Sequence, residues 1–198
     1  MKFIFPIVFL VLNSLDLALA QQQTAATQPG TPTQDRTKSE TGPAAISDED
    51  VRKKWVGNWD ATIESMGRDG KPVTNPAKAT VKLAYGGKWL VTEFEGTFMG
   101  AAFSGQELLG YDSATKKYPL NWIDSAATSF STGEGTFDPK TNTMTFTVNG
   151  RDDSTGEMAT WRQVDVWKDA DHHEWSIRTI SKDGNEYIQM TIRYRRKS

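Results

Sequence analysis

From Trp55 onward, apolar residues recur at every second position: Trp55, Gly57, Trp59, Ala61 and Ile63, then Ala79, Val81, Leu83 and Tyr85, then Tyr118, Leu120 and Trp122. The pattern returns in Met144, Phe146 and Val148, in Val164 and Val166, in Trp175 and Ile177, and in Ile188, Met190, Ile192 and Tyr194. A strand points successive side chains to opposite faces, so each run predicts a strand with one apolar face. Turn signals fall between the runs: Arg68-Asp69-Gly70, Gly86-Gly87, Asp112 to Thr115, Asp138 to Asn142, Asp152 to Gly156, Asp169 to His172 and Asp183-Gly184-Asn185. This order predicts an all-β fold, an antiparallel up-and-down β-barrel of about ten strands, because closure removes the edges that an open sheet would expose. A two-sheet sandwich is the alternative, and it needs longer crossing connections. Ser47 followed by Asp48, Glu49 and Asp50 predicts a short N-terminal helix through about Lys54.

The alternation begins only after a different kind of sequence. Residues 1–20 carry Lys2, an apolar run from Phe3 to Leu12, and Ala18-Leu19-Ala20 before Gln21, the order of a secretory signal peptide. The run is too short to span a bilayer and no Cys follows to accept a lipid, so no transmembrane segment or anchor is expected. Residues 21–46 are rich in Gln, Thr and Pro and hold no aromatic residue, which predicts a disordered linker. Residues 47–198 form the barrel domain and contain all seven tryptophans. The expected location is secreted or periplasmic, and an exported chain without Cys points to a bacterial source.

Charge narrows the choice of partners. The chain has 23 Lys+Arg against 25 Asp+Glu, a net charge of −2, which argues against a nucleic-acid partner because phosphate neutralisation needs clustered positive charge. The absence of Cys removes disulfides and thiolate chemistry, and two adjacent histidines, His172 and His173, supply little for a metal centre. No G-x-S-x-G elbow, glycine-rich phosphate loop or H-E-x-x-H is present. No cofactor or metal is therefore expected, and nothing in the sequence supports an enzyme.

Gly86-Gly87-Lys88-Trp89 through Gly96, Met99-Gly100, Phe103-Ser104-Gly105, Gly110-Tyr111-Asp112, Trp122-Ile123-Asp124-Ser125, Gly135-Thr136-Phe137-Asp138, Arg162 and Tyr194-Arg195-Arg196 together resemble the bacterial family known as domain of unknown function 1579. The resemblance implies a lipocalin-like (calycin) barrel and no known reaction. Gly57-Asn58-Trp59 is similar to the Gly-x-Trp of calycins, whose tryptophan closes one barrel end under a basic residue of the last strand. Arg193 or Arg195 is the expected partner, as a guanidinium over an indole gains a cation–π contact. A related barrel, nitrobindin, carries haem. Haem needs an axial ligand in an apolar pocket, and His172 and His173 are expected in a rim turn, with the start of the next strand as the alternative for His173.

Among acidic residues at strand ends, Glu93, Asp112 and Asp124, the second is expected to cap its own turn. Asp124 continues the Tyr118, Leu120, Trp122 face toward the interior and would need Arg162 or Arg178 as its partner. Trp122, Trp175, Tyr187 and Met190 are the expected apolar lining of a pocket. Asp169, Asp171 and Glu174 read as a solvated turn more readily than as calcium ligands. The basic end from Arg193 to Lys197 reads as an outward, edge-protecting face. The functional expectation is a barrel that binds a small, mostly apolar molecule with Trp122, Asp124, Trp175, Arg178, Tyr187 and Met190. The alternative is a packed barrel serving as a protein-interaction or scaffold module of the cell envelope. The oligomeric state is not legible from sequence.

Overall fold

In the computed structural model, the residues described are 46–67, 69–98, 100–152, 155–180 and 184–198. The predicted signal peptide and the linker up to residue 45 lie outside the described residues. A helix α1 (Asp48–Lys53) precedes ten strands: β1 (Gly57–Met66), β2 (Pro72–Ala84), β3 (Trp89–Phe98), β4 (Ala101–Leu109), β5 (Tyr118–Asp124), β6 (Ser131–Asp138), β7 (Thr143–Arg151), β8 (Met158–Trp167), β9 (His172–Ile180) and β10 (Glu186–Arg196). Each strand pairs antiparallel with its sequence neighbours, and β1 pairs with β10 from Trp59 opposite Arg196 to Ser65 opposite Met190. The sheet is a closed barrel and not a sandwich.

Closure commits alternate residues to the inside. Trp59, Ala61 and Ile63 of β1, Ala79 and Val81 of β2, Leu120 of β5, Met144, Phe146 and Val148 of β7, and Ile192 of β10 are buried in one apolar cluster. Two predicted faces need correction. Tyr85 is 73% exposed, because β2 ends at Ala84 and the β2–β3 turn takes Tyr85, Gly86 and Gly87 into positive φ. On β8 the interior face is Trp161, Gln163 and Asp165, not the Val164 and Val166 that hydrophobicity selected. Asp165 can face inward because the interior supplies two donors for it, described below.

The helix closes one end. Ser47 Oγ accepts the Asp50 amide and three acidic residues occupy the first turn, both favourable at a helix N-terminus. Buried Arg52 donates to the Gly87 carbonyl at 2.6 Å in the β2–β3 turn, and Lys54 Nζ donates to Asn142 Oδ1 at 2.9 Å in the β6–β7 turn. Immediately after the helix, Trp55 packs edge-on to Trp167 with ring centroids 4.3 Å apart. Helix, two turns and two indoles thus seal the same end.

The closing arginine is Arg196, a correction to the expected Arg193 or Arg195. Strand parity decides it: Ile192, Tyr194 and Arg196 share one face, while Arg193 pairs outward with Glu64 and Glu174 and Arg195 with Asp60. The Arg196 guanidinium lies 4.1 Å from the Trp59 ring centroid and donates to the carbonyls of Val56 at 2.5 Å, Lys54 at 2.9 Å and Ala170 at 3.0 Å. Gly57 is required beneath it, since a Cβ there would sit 2.6 Å from Arg196 Nη1 and the backbone φ is +138°. One side chain therefore ties the start of β1 and the β8–β9 turn to the end of β10. Arg196→Ala is expected to lower unfolding stability by about 2–4 kcal/mol in urea titration, and Arg196→Lys to recover less than half of it. Arg195→Ala, which removes an exposed pair, should stay within about 0.5 kcal/mol of the parent; equal losses at 195 and 196 would contradict the assignment.

Candidate ligand-binding site

The barrel interior encloses a cavity of about 680 Å³. Met66 and Ile188, 56% and 60% exposed, line it at the open end, and Trp55, Trp59, Asp165 and His173 line it toward the sealed end. A second depression of about 650 Å³ runs over the outer surface beside Asp60, Lys78 and Glu95, where Lys78 already pairs with Glu95 and Asp60 with Arg195 and Lys197. The enclosed, apolar space is the better candidate for a ligand.

One wall is aromatic. Phe103 stacks on Trp122 with centroids 6.4 Å apart, and Phe94 meets both rings edge-on at 6.2 and 6.5 Å. The wall exists because β4 places Gly105 under the Trp122 indole, where a Cβ would come within 2.2 Å of the ring. Asp124 sits where parity put it, on the cavity face, but its partners differ from the expected arginine. It accepts from Trp122 Nε1 at 2.7 Å and from the amides of Ala126 and Ala127 at 2.9 Å, so it fixes the indole and the β5–β6 turn. Neither Arg162 nor Arg178 reaches it; both pair with Glu186 on the outside.

Trp175 and Met190 line the cavity, together with Ile177. Arg178 and Tyr187 do not. Arg178 alternates with Ile177 and Thr179, which face in, and its guanidinium turns to Glu186 and Ser176. Tyr187 is 55% exposed and does not line the cavity, although its register partner Thr179 does. Glu93 is also exposed, paired in register with Gln106. Asp112 caps its turn, accepting from the Ala114 amide and Thr115 Oγ1, and these bonds hold its carboxyl below the usual range.

The polar groups at the sealed end are those that sequence reading missed. His173 lies at the start of β9 and is buried, with Nδ1 2.7 Å from Asp165 Oδ1, while Trp55 Nε1 donates to Asp165 Oδ2 at 2.8 Å. Trp167, His173 and Tyr194 are register partners on β8, β9 and β10, and their rings stack side by side, 5.5 Å and 4.3 Å between centroids. Cross-strand neighbours on one face are close enough for such stacking. His172, by contrast, is exposed and bonded to Asp169. Glu107 of β4 stands in phase with Phe103 and Leu109 and faces the cavity. Among the described residues, no group of three or more His, Asp or Glu is placed to hold a metal ion.

Residues 50–196 match the family described as protein of unknown function, DUF1579. The chain belongs to that family. The fold of this DUF1579 protein is similar to the crystal structure of Rv2717c from M. tuberculosis, with a TM-score of 0.57 and 10% identity over 78% of this chain and 100% of that one. It is also similar to the S-type phycobiliprotein lyase CPES from Guillardia theta, with a TM-score of 0.52 and 12% identity over 77% of this chain and 94% of that one. Both are lipocalin-like barrels. No curated protein sequence matches the chain.

In the DUF1579 barrel, the electrostatics of the interior centre on Glu107. Burial pushes its carboxyl up to about 7, the negative charge of Asp165 adds to this, and the Thr92 hydroxyl opposes it. Tyr194 is pushed up by the same burial and by Asp165 and Glu107. A carboxyl with a raised folded-state value stays protonated in the native protein while the unfolded chain ionises near 4.5. Native stability therefore falls as pH rises through the window from about 4.5 to 7, by about 1–3 kcal/mol. Glu107→Gln removes the effect: the variant should be the more stable protein at pH 8 and equal to the parent at pH 4. Paired urea titrations at both pH values check this, and a variant less stable at pH 8 would contradict it.

Proposed function

We propose that this protein is an exported binding protein that holds a small, mostly apolar molecule inside its barrel and does not transform it. The observation that carries the reading is the cavity of about 680 Å³, walled by Phe94, Phe103, Trp122, Trp175 and Met190. That volume lies in the range of small-molecule sites, which are concave, largely apolar and furnished with a few polar groups. The structural likeness to a phycobiliprotein lyase is in keeping with a barrel that accommodates a ligand. The cavity also weighs against the scaffold alternative, in which side chains would fill the interior. The reading of binding without catalysis is supported by a sequence that lacks the nucleophile, phosphate-loop and zinc motifs. Export is supported by Lys2, the Phe3 to Leu12 run and Ala18-Leu19-Ala20, and predicts a mature chain beginning at Gln21. Among the described residues no helix is long and apolar enough to cross a membrane.

The test is fluorescence with the neutral apolar dye Nile red and the full chain. Dye emission should shift to the blue and rise saturably, tryptophan emission should fall, and the complex should melt higher, since a ligand bound only to the folded state stabilises it by about 2.7 kcal/mol at a hundredfold excess over Kd. Trp122→Ala should weaken dye binding about tenfold, the effect of losing one well-placed aromatic contact surface. Dye that keeps its aqueous spectrum, with no change in melting, would contradict the proposal.

A further inference from the structure

Resting on that reading of the barrel as a container, we propose that the cavity selects an amphiphile bearing an amine, its apolar body against the aromatic wall and its protonated nitrogen beside Glu107. The first argument is the sign of the interior. Among the described residues, four carboxylates, Glu107, Asp124, Asp152 and Asp165, line the cavity against one arginine, Arg151, whose guanidinium turns to the Gly156 carbonyl in the β7–β8 turn, and one histidine, His173, which is bonded to Asp165. No lysine lines it. A ligand with a carboxylate or phosphate head would bring a further negative charge into a space of low dielectric, where like charges repel strongly.

The second argument is which acceptors are in use. Asp124 is occupied by the Trp122 indole and two amides, Asp165 by Trp55 and His173, and Asp152, in the β7–β8 turn, by the Thr155 amide. Glu107 accepts from the Thr92 hydroxyl, and a carboxylate offers two oxygens with about four acceptor sites. Glu107 is thus the cavity carboxylate with capacity to spare. A cation beside it offsets the repulsion from Asp165 and supplies the ion partner that a desolvated carboxylate lacks.

Geometry supplies the third. Glu107 is the register partner of Trp122 across β4 and β5, and Phe94, Phe103 and Trp122 form the adjoining wall. Aromatic faces next to a carboxylate are the surroundings that recognise ammonium groups, through the ring quadrupole on one side and the charge on the other. The remaining lining, Trp175, Ile177 and Met190, is apolar and suits the body of such a molecule.

Three probes with one chain length separate head from tail: decylamine, decanol and decanoate, each below its micelle-forming concentration, competed against Nile red on the full chain at pH 8. At that pH Glu107 is mostly ionised and an alkylamine is protonated. Decylamine is expected to bind about tenfold or more tighter than decanol, the effect of one charge-assisted hydrogen bond, with decanoate weakest. In Glu107→Gln the ratio of amine to alcohol affinity should fall to within about threefold of unity. Equal binding of amine and alcohol by the parent, a preference for decanoate, or a ratio that survives Glu107→Gln would each overturn the amine assignment while leaving the container reading intact. No binding of any of the three, nor of Nile red, would overturn both.

Discussion

A sheet that closes on itself assigns every second residue to an enclosed space, and the pairing of β1 with β10 makes that assignment binding for all ten strands. Nothing on the inner face can be relieved by sliding to an edge. Apolar residues gain from this, and Trp59, Ile63, Leu90, Met144 and Val148 are almost wholly removed from water. Bulk must still be distributed, since ten strands enclose more room than eight. Glycine makes this workable at Gly105, where the missing side chain lets the Trp122 indole lie against the wall and leaves the centre open.

Polar residues on the same face meet the constraint in two ways. Asp165 is buried and satisfied, with one oxygen on Trp55 and the other on His173, so it serves as the joint between the segment after α1, β8 and β9. Removing either donor would leave a buried charge short of a partner, a loss of several kcal/mol in comparable sites. Glu107 is enclosed with no ion partner among the described residues, and its ionisation is suppressed accordingly. The contrast marks the first as architecture and the second as the polar group of the cavity left with acceptor capacity.

The fold was legible because period-two alternation is strong wherever the inner residues are apolar, as in β1, β5, β7 and β10. It failed on β8, where Val164 and Val166 look like a core face and Trp161, Gln163 and Asp165 occupy it. A polar residue paired inside the barrel carries no hydrophobic signature, and its partners, Trp55 and His173, are far away in sequence. Asp124 lines the cavity while Arg178 turns outward, for a related reason: the Asp124 partner is the indole two residues earlier, so no distant arginine was needed. Glu107 had a signal in its phase with Phe103 and Leu109, readable only once β4 is recognised as a strand. Arg196 had one too, as the arginine in step with Ile192 and Tyr194. The chemistry of the site was less legible than the fold because it rests on polar residues whose inward placement only the register reveals.

The central claim is that the closed barrel holds an open interior that accepts apolar matter. Crystals of the full chain grown with 10-bromodecanol test it most directly, since bromine can be located by its anomalous scattering. The account predicts a bromine peak inside the barrel, among Trp122, Trp175 and Met190, with β1 and β10 still paired. Bromine found only on the outer surface, or a barrel whose side chains fill the space, would contradict it.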